Sequence, residues 1–245
     1  MNPEILEKVI NGGSQEKITP ITEFVGSTVG DTVGLVIANL DSQLRKQIGL
    51  DPKYRSVGFV SSRIGGASHI WAADDAVKAT NTEIASIQFP RDMKGGAGRG
   101  ATVIFASHDV SDARRAVEVM LKSVENHMGD IFTCDAGHIE LHYTARASLA
   151  LEAAYGASVG KSFGIVIGAP AAVGLVMADT ALKTASVDVV SYLDVNSSGY
   201  SNQIAVTVIG DSGAVRQSVI AAKEVGLNVL KSMGQKPISL GVPTF

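Results

Sequence analysis

The chain has 245 residues, 45% hydrophobic and 18% charged, which is enough for two α/β domains of about 100 residues each. A formal net charge of -3 with mixed signs gives no basic face for a phosphate backbone, so nucleic acid is excluded as an expected partner. The single cysteine, Cys134, excludes an intrachain disulfide framework, and the acids and lysines between Met1 and Pro20 are unlike a signal peptide, so a cytoplasmic protein is expected.

Residues 1 to 25 are polar and are expected to form an N-terminal extension ahead of the folded domains. A strand over Thr32 to Asn39 and a short helix over Ser42 to Ile48 come next. A second strand ends near Val60, and an alanine-rich helix runs from about Ala67 to Thr80. Two strands follow, Glu83 to Phe89 and Ala101 to Ser107, joined by a loop containing Gly95, Gly96, Gly98 and Gly100. Ala113, Val117, Met120, Leu121 and Val124 then recur at helical spacing.

The same order repeats. A strand over Ile139 to Thr144, a helix over Ser148 to Tyr155 and a strand ending near Ile167 lead to a helix over Ala171 to Ala185. Strands over Val187 to Val195 and Gln203 to Ile209 precede a helix carrying Val215, Val219, Ala222 and Val229. Residue blocks support the duplication: Ala73-Asp74-Asp75-Ala76-Val77-Lys78 matches Ala178-Asp179-Thr180-Ala181-Leu182-Lys183, and Arg55 to Val60 matches Lys161 to Val166, at an offset of about 105 residues. The expected domains are therefore 26–130 and 131–245. Asp109 or Ser111, and Asp211 or Ser212, suit the N-caps of the last helix in each copy. The uncharged stretch from Ser162 to Ala178 is read as strand, turn and helix, because Gly164, Gly168, Pro170 and Gly174 interrupt it, and no membrane partner is expected.

Three segments invite a chemical reading. Gly156 to Ser162 is similar to a phosphate loop, but its spacer is one residue short and its lysine leads into a strand. Gly210-Asp211-Ser212-Gly213 is similar to a serine-protease segment, but the first copy keeps only the aspartate at this place, which favours helix capping. His138, Glu140 and His142 alternate on one strand face, and two imidazoles with a carboxylate can hold a metal. Alternating polar residues more often mark a solvated face, and no fourth ligand is near, so no metal or cofactor is expected.

The helix motif Ala-Asp-x-Ala-x-Lys and the turn Gly210-Asp211-Ser212-Gly213-Ala214-Val215 resemble the bacterial microcompartment shell domain, although the first copy reads Ser107-His108-Asp109-Val110-Ser111-Asp112 at that turn. The leading strand and helix of each half are similar to the permuted, tandem-domain members of that family. The resemblance spans Gly26 to Phe245 and implies two tandem α/β domains of ferredoxin-like, circularly permuted type.

It also implies a non-enzymatic homotrimer in a propanediol or glycerol compartment, tiling with other shell proteins and passing a small polyol through pores. On the same resemblance, Gly65, Gly66, Ala67, Ser68 and His69 are expected at a pore within each subunit, with Asn126 and His127 next. The loops carrying Arg91, Asp92, Lys94 and Gly95, and Asn196, Ser197, Ser198 and Gly199, are expected near a three-fold axis. Lys78 and Lys183 are expected at tile edges, and residues 1 to 25 as a tether for encapsulated enzymes. The alternatives are a metal-dependent enzyme using His138, Glu140 and His142, and a trimeric ligand sensor.

Overall fold

A computed structural model describes residues 22–91, 99–197 and 201–245. The first half runs β1 (Thr22–Thr28), β2 (Thr32–Ile37), α1 (Ser42–Gln47), β3 (Ser56–Ser61), α2 (Gly66–Lys78), β4 (Glu83–Gln88), β5 (Thr102–Ser107) and α3 (Val110–His127). The second runs β6 (Ile131–Cys134), β7 (Gly137–Thr144), α4 (Leu149–Tyr155), β8 (Ser162–Ala169), α5 (Ala171–Thr184), β9 (Val187–Leu193), β10 (Ile204–Gly210), α6 (Ser212–Ser232) and β11 (Ile238–Ser239). Each half builds its own antiparallel sheet, five strands in the order β1-β2-β3-β5-β4 and six in the order β11-β6-β7-β8-β10-β9.

Two helices cover one face of each sheet. In the first half, Val117, Met120 and Val124 of α3 meet Val36, Val60, Val103 and Phe105. In the second, Val215, Val219 and Ala222 of α6 meet Leu141, Val166 and Val208. The helix lies close enough to demand glycine beneath it. A Cβ on Gly58 would stand 2.7 Å from Val117 Cγ2 and 2.8 Å from the Ala113 carbonyl oxygen, and one on the matching Gly164 2.9 Å from both Val215 and Val219.

A third core joins the halves. Ala67 and Ile70 of α2 pack with Ala150 and Leu151 of α4 and with Phe163 and Ile165 of β8, while Trp71, Ile84, Ile87 and Tyr155 are packed against this cluster. The free face of the second sheet is therefore covered by the first half of the same chain.

The structure differs from the sequence reading at the edges. β1 starts at Thr22 and pairs with β2, so Thr22 to Val25 belong to the first sheet and not to an extension; residues 1 to 21 lie outside the described residues. β1 has a counterpart in β6, which pairs with β7 as β1 pairs with β2. Asp109 and Asp211 occupy the N-cap positions, but neither side chain makes a capping hydrogen bond. Ser162 to Ala178 divides into β8 and α5, and no helix among the described residues is long and apolar enough to cross a membrane.

Candidate functional site

The seam between the halves holds a buried polar set and an open cleft. His138, Glu140 and His142 share one face of β7, as alternation requires, yet all three are buried, which corrects the expectation of a solvated face. The backbone N–H of Ala67, in the first turn of α2, donates to Glu140 Oε1 at 3.1 Å, and His142 Nε2 lies 3.0 Å from the same oxygen. The positive end of α2 thus faces a carboxylate, a favourable arrangement. Trp71 stacks on His142 with ring centroids 5.0 Å apart. Glu140 is consumed by the seam, and no cluster of three or more metal-ligating side chains forms among the described residues. Among the described residues His138 has no hydrogen-bond partner on either ring nitrogen, and burial lowers its pKa.

The turn expected to line a pore is buried in the single chain. Gly65, Gly66, Ala67, Ser68 and His69 are all buried, and their polar groups are used within the chain. Gly66 N–H donates to the Arg99 carbonyl at 2.9 Å and Ser68 Oγ to the His127 carbonyl at 2.8 Å. His69 Nδ1 donates to the Gly65 carbonyl at 2.6 Å, and its Nε2 lies 2.8 Å from Thr32 Oγ1. Burial draws the His69 pKa down to about 4, so the ring is neutral at pH 7. Helix α2 enters the seam through this turn.

Asn126 and His127 do reach an open cleft of about 460 Å³, lined also by Trp71, His142, Tyr143, Thr144 and Arg216. His127 Nε2 lies 3.0 Å from Asp75 Oδ2, and Ser123 Oγ donates to the same carboxylate oxygen, which ties the end of α3 to α2. Because serine and histidine both bond to the aspartate and not to each other, this is a brace and not a nucleophile with its base.

Thr244 and Phe245 form another wall. The buried Asp130 carboxylate pairs with Lys223 at 3.3 Å and accepts from Thr244 N–H at 3.0 Å and from the Thr244 hydroxyl, while Lys223 Nζ donates to the Phe245 oxygen. Nothing local in the sequence marks Asp130, Lys223 or Arg216, because 93 residues separate the ion-pair partners.

The remaining sequence-predicted residues that are described lie apart from this cleft. Arg91 is exposed where the β4–β5 connection begins, and Asn196 and Ser197 are exposed in a turn after β9. Ser197 N–H and Oγ both donate to Asp194 Oδ1, at 2.8 and 2.7 Å, and hold that carboxyl below its ordinary pKa. Asp92, Lys94, Gly95, Ser198 and Gly199 lie outside the described residues. Lys78 and Lys183 project from matching ends of α2 and α5, each paired with the aspartate one turn earlier, at 2.6 and 2.7 Å.

The chain is thus a duplicated sheet-and-two-helix unit whose copies meet at a buried polar seam. The BMC domain model matches residues 56–134 and 162–238, and the chain belongs to the bacterial microcompartment shell proteins. It is 53% identical over 223 residues to the bacterial microcompartment shell protein PduB of Citrobacter freundii, covering 91% of this chain and 83% of that protein. The PduB of Limosilactobacillus reuteri is 42% identical, covering 89% and 93%. Among solved structures, EtuB from Clostridium kluyveri superposes with a TM-score of 0.86 at 53% identity, covering 94% of this chain and 100% of that one. A trimeric shell protein PduB gives 0.84 at 41% identity, covering 91% and 99%. The tandem-domain resemblance is borne out, and the chain is a structural shell protein, not an enzyme.

Proposed function

We propose that three copies of this chain close into a six-domain ring, a facet tile whose subunit clefts pass a small polyol such as 1,2-propanediol or glycerol. One observation carries the ring: the surfaces buried between the halves have exposed counterparts elsewhere on the chain. Ile70 on α2 is 0% exposed, whereas Leu175, its counterpart on α5, is 53% exposed. On the receiving side, Leu151 of α4 is 2% exposed and its counterpart Leu44 of α1 is 50% exposed. Val189 and Tyr192 on β9 are likewise exposed where Ile84 and Ile87 pack in the seam.

An α5 face docked on the α1 face of the next copy repeats the seam between chains, a head-to-tail contact that forms a ring when its rotation closes. Each aliphatic side chain covered this way, being about half exposed, contributes about 1 kcal/mol. The trimeric PduB structure supports closure at three chains. Replacing Leu175 by Asp tests the docking by light scattering: monomers are expected, and wild-type trimers would refute it.

Passage is assigned to the cleft beside Asn126 and His127, whose polar lining replaces water shed by a diol. One hydrogen bond, net about 1 kcal/mol, favours a diol over an aldehyde roughly fivefold. Crystals soaked in glycerol are expected to hold it there; glycerol confined to the outer surface would remove this assignment. The loops at Arg91 and at Asn196 and Ser197 belong near the three-fold axis in this reading. In the same reading the N-terminal segment binds encapsulated enzymes, and other shell proteins meet the rim in the microcompartment shell.

A further inference from the structure

The two seams of such a ring are built on one backbone plan but with opposite chemistry. The register of β7 on β8 matches that of β2 on β3, which places Val33 at the position of Glu140 and Leu35 at that of His142. On the docking helix, Val176 of α5 stands at the position of Trp71 of α2. The seam within the chain therefore joins a carboxylate and an imidazole to a helix-end N–H and an indole. The surfaces left open carry only aliphatic side chains at these places, Val176 exposed and Val33 and Leu35 half-buried. Both sides change together, although one side alone would change if each residue merely suited its own domain.

We infer that Glu140, His142 and Trp71 act as a sorting device that lets α2 dock only on the second sheet of its own chain and α5 only on the first sheet of another copy. This rests on the docking surface proposed above. Two mispairings threaten a chain made of two similar domains. If α2 docks on the Val33 and Leu35 face of another copy, the Ala67 N–H loses its carboxylate acceptor and the indole loses its imidazole. If α5 docks on the β7 face of another copy, Glu140 and His142 are buried under Val176 with no ring above them. The first error leaves a donor buried without its acceptor, and the second leaves the Glu140 and His142 pair without its stacked ring, penalties that matched pairs avoid. A buried polar group is also a known means of fixing which partners associate. Alternation of first and second domains round the ring follows.

The test transfers the polar set from one seam to the other. Val33→Glu with Leu35→His alters half-buried surface positions of the subunit and is expected to weaken trimers at least tenfold, read as monomers in native mass spectrometry at micromolar concentration. Adding Val176→Trp supplies the ring and is expected to bring trimers back at least in part. In the converse variant, Glu140→Val with His142→Leu, the second sheet resembles the first, and rings of mixed mass are expected beside trimers.

Trimers of wild-type strength in the Val33→Glu, Leu35→His variant would overturn the sorting role, as would no recovery on adding Val176→Trp. If the converse variant does not fold by circular dichroism, the first two variants still decide. A folded converse variant found only as trimers counts against the proposal. Leu175→Asp separates the two ideas: monomers there with intact trimers in Val33→Glu, Leu35→His leave the docking surface standing and remove the sorting role.

Discussion

On α2 the face that carries Ile70 and Trp71 is covered by the second half of the chain, whereas the matching face of α5, with Leu175 and Val176, lies open. The elements agree in order and register, and α2 and α5 differ by a single residue in length, so local sequence preference does not account for the contrast. What differs is the neighbour. A duplicated chain keeps its inward helix faces alike, as in Val117 against Gly58 and Val215 against Gly164, and diverges where one copy meets its own chain and the other does not.

The largest expected effect comes from β1, the element that joins the first sheet at its edge. Removing residues 1–21 leaves the strand whole, whereas removing residues 1–25 deletes the partners of Leu35, Val36 and Ile37 and takes Val25 from the first core. Several backbone hydrogen bonds at a net of about 1 kcal/mol each, with the lost burial, amount to about 4 kcal/mol. Urea unfolding of the two truncations measures this, and equal midpoints would show that β1 contributes nothing that β6 does not already supply to its own sheet.

Next is the turn that opens α2. His69 has Gly174 as its counterpart in α5, so only the first half carries a buried titrating ring there. Its folded pKa of about 4 lies below the ordinary value of 6.5. Between those values the unfolded chain holds a proton that the folded chain does not, so stability falls as pH drops through that window and this group has no effect above it. The total is about 3 kcal/mol, and the lowered pKa of the buried His138 acts in the same direction. Denaturant melts from pH 7 to 4 should show a shallower acid loss in His69→Gln than in wild type; parallel curves would exclude the ring as a source.

A smaller effect separates the two glycines. Gly58→Ala drives a methyl group against the Ala113 carbonyl, part of the α3 backbone, while the atoms nearest a methyl group in Gly164→Ala are the side-chain ends of Val215, Val219 and Val208. Side chains yield more easily than a helix backbone, so about 3 kcal/mol is expected for the first and about 1 for the second. Thermal unfolding would rank them, and a reversed order would mean that α6 is held more rigidly than α3.

Much of this architecture was legible in the sequence, for identifiable reasons. Helices and central strands announced themselves through alanine-rich and β-branched runs, and the duplication through blocks such as Ala73 to Lys78. β1 and β6 were missed because they share no residues, β6 is only four residues long, and β1 carries a bulge between Phe24 and Gly26 that breaks alternation. The His138, Glu140 and His142 alternation correctly gave one face, but no local pattern tells a solvated face from one covered by a helix some 70 residues away. The burial of the Gly65 to His69 turn was hidden for the same reason. Glycine and serine beside histidine suggest an open polar turn, and only the fold shows Glu140, His127 and Arg99 taking up its hydrogen bonds.

The smallest expected effect on folding is at Lys78 and Lys183, where the halves agree instead of diverging. Both lysines are well exposed, at 65% and 75% of the side chain, and each pairs with an aspartate one turn earlier. Such exposed helix pairs contribute a few tenths of a kcal/mol each, so Lys78→Ala with Lys183→Ala should shift the unfolding midpoint very little. Conservation of the position across both copies then needs a reason outside the fold. In a ring of three chains the two lysines recur as six similar positions on the perimeter, which suits contact with neighbouring tiles. Their long aliphatic stems can lie along an adjoining surface while the ammonium groups stay hydrated, so truncation removes packing as well as charge. The double variant should therefore remain a folded trimer by light scattering and fail to form flat arrays in electron microscopy. Arrays of normal extent at wild-type concentration would return both lysines to the role of solvated helix residues, and the likeness of the two halves at this point would then reflect only their common origin.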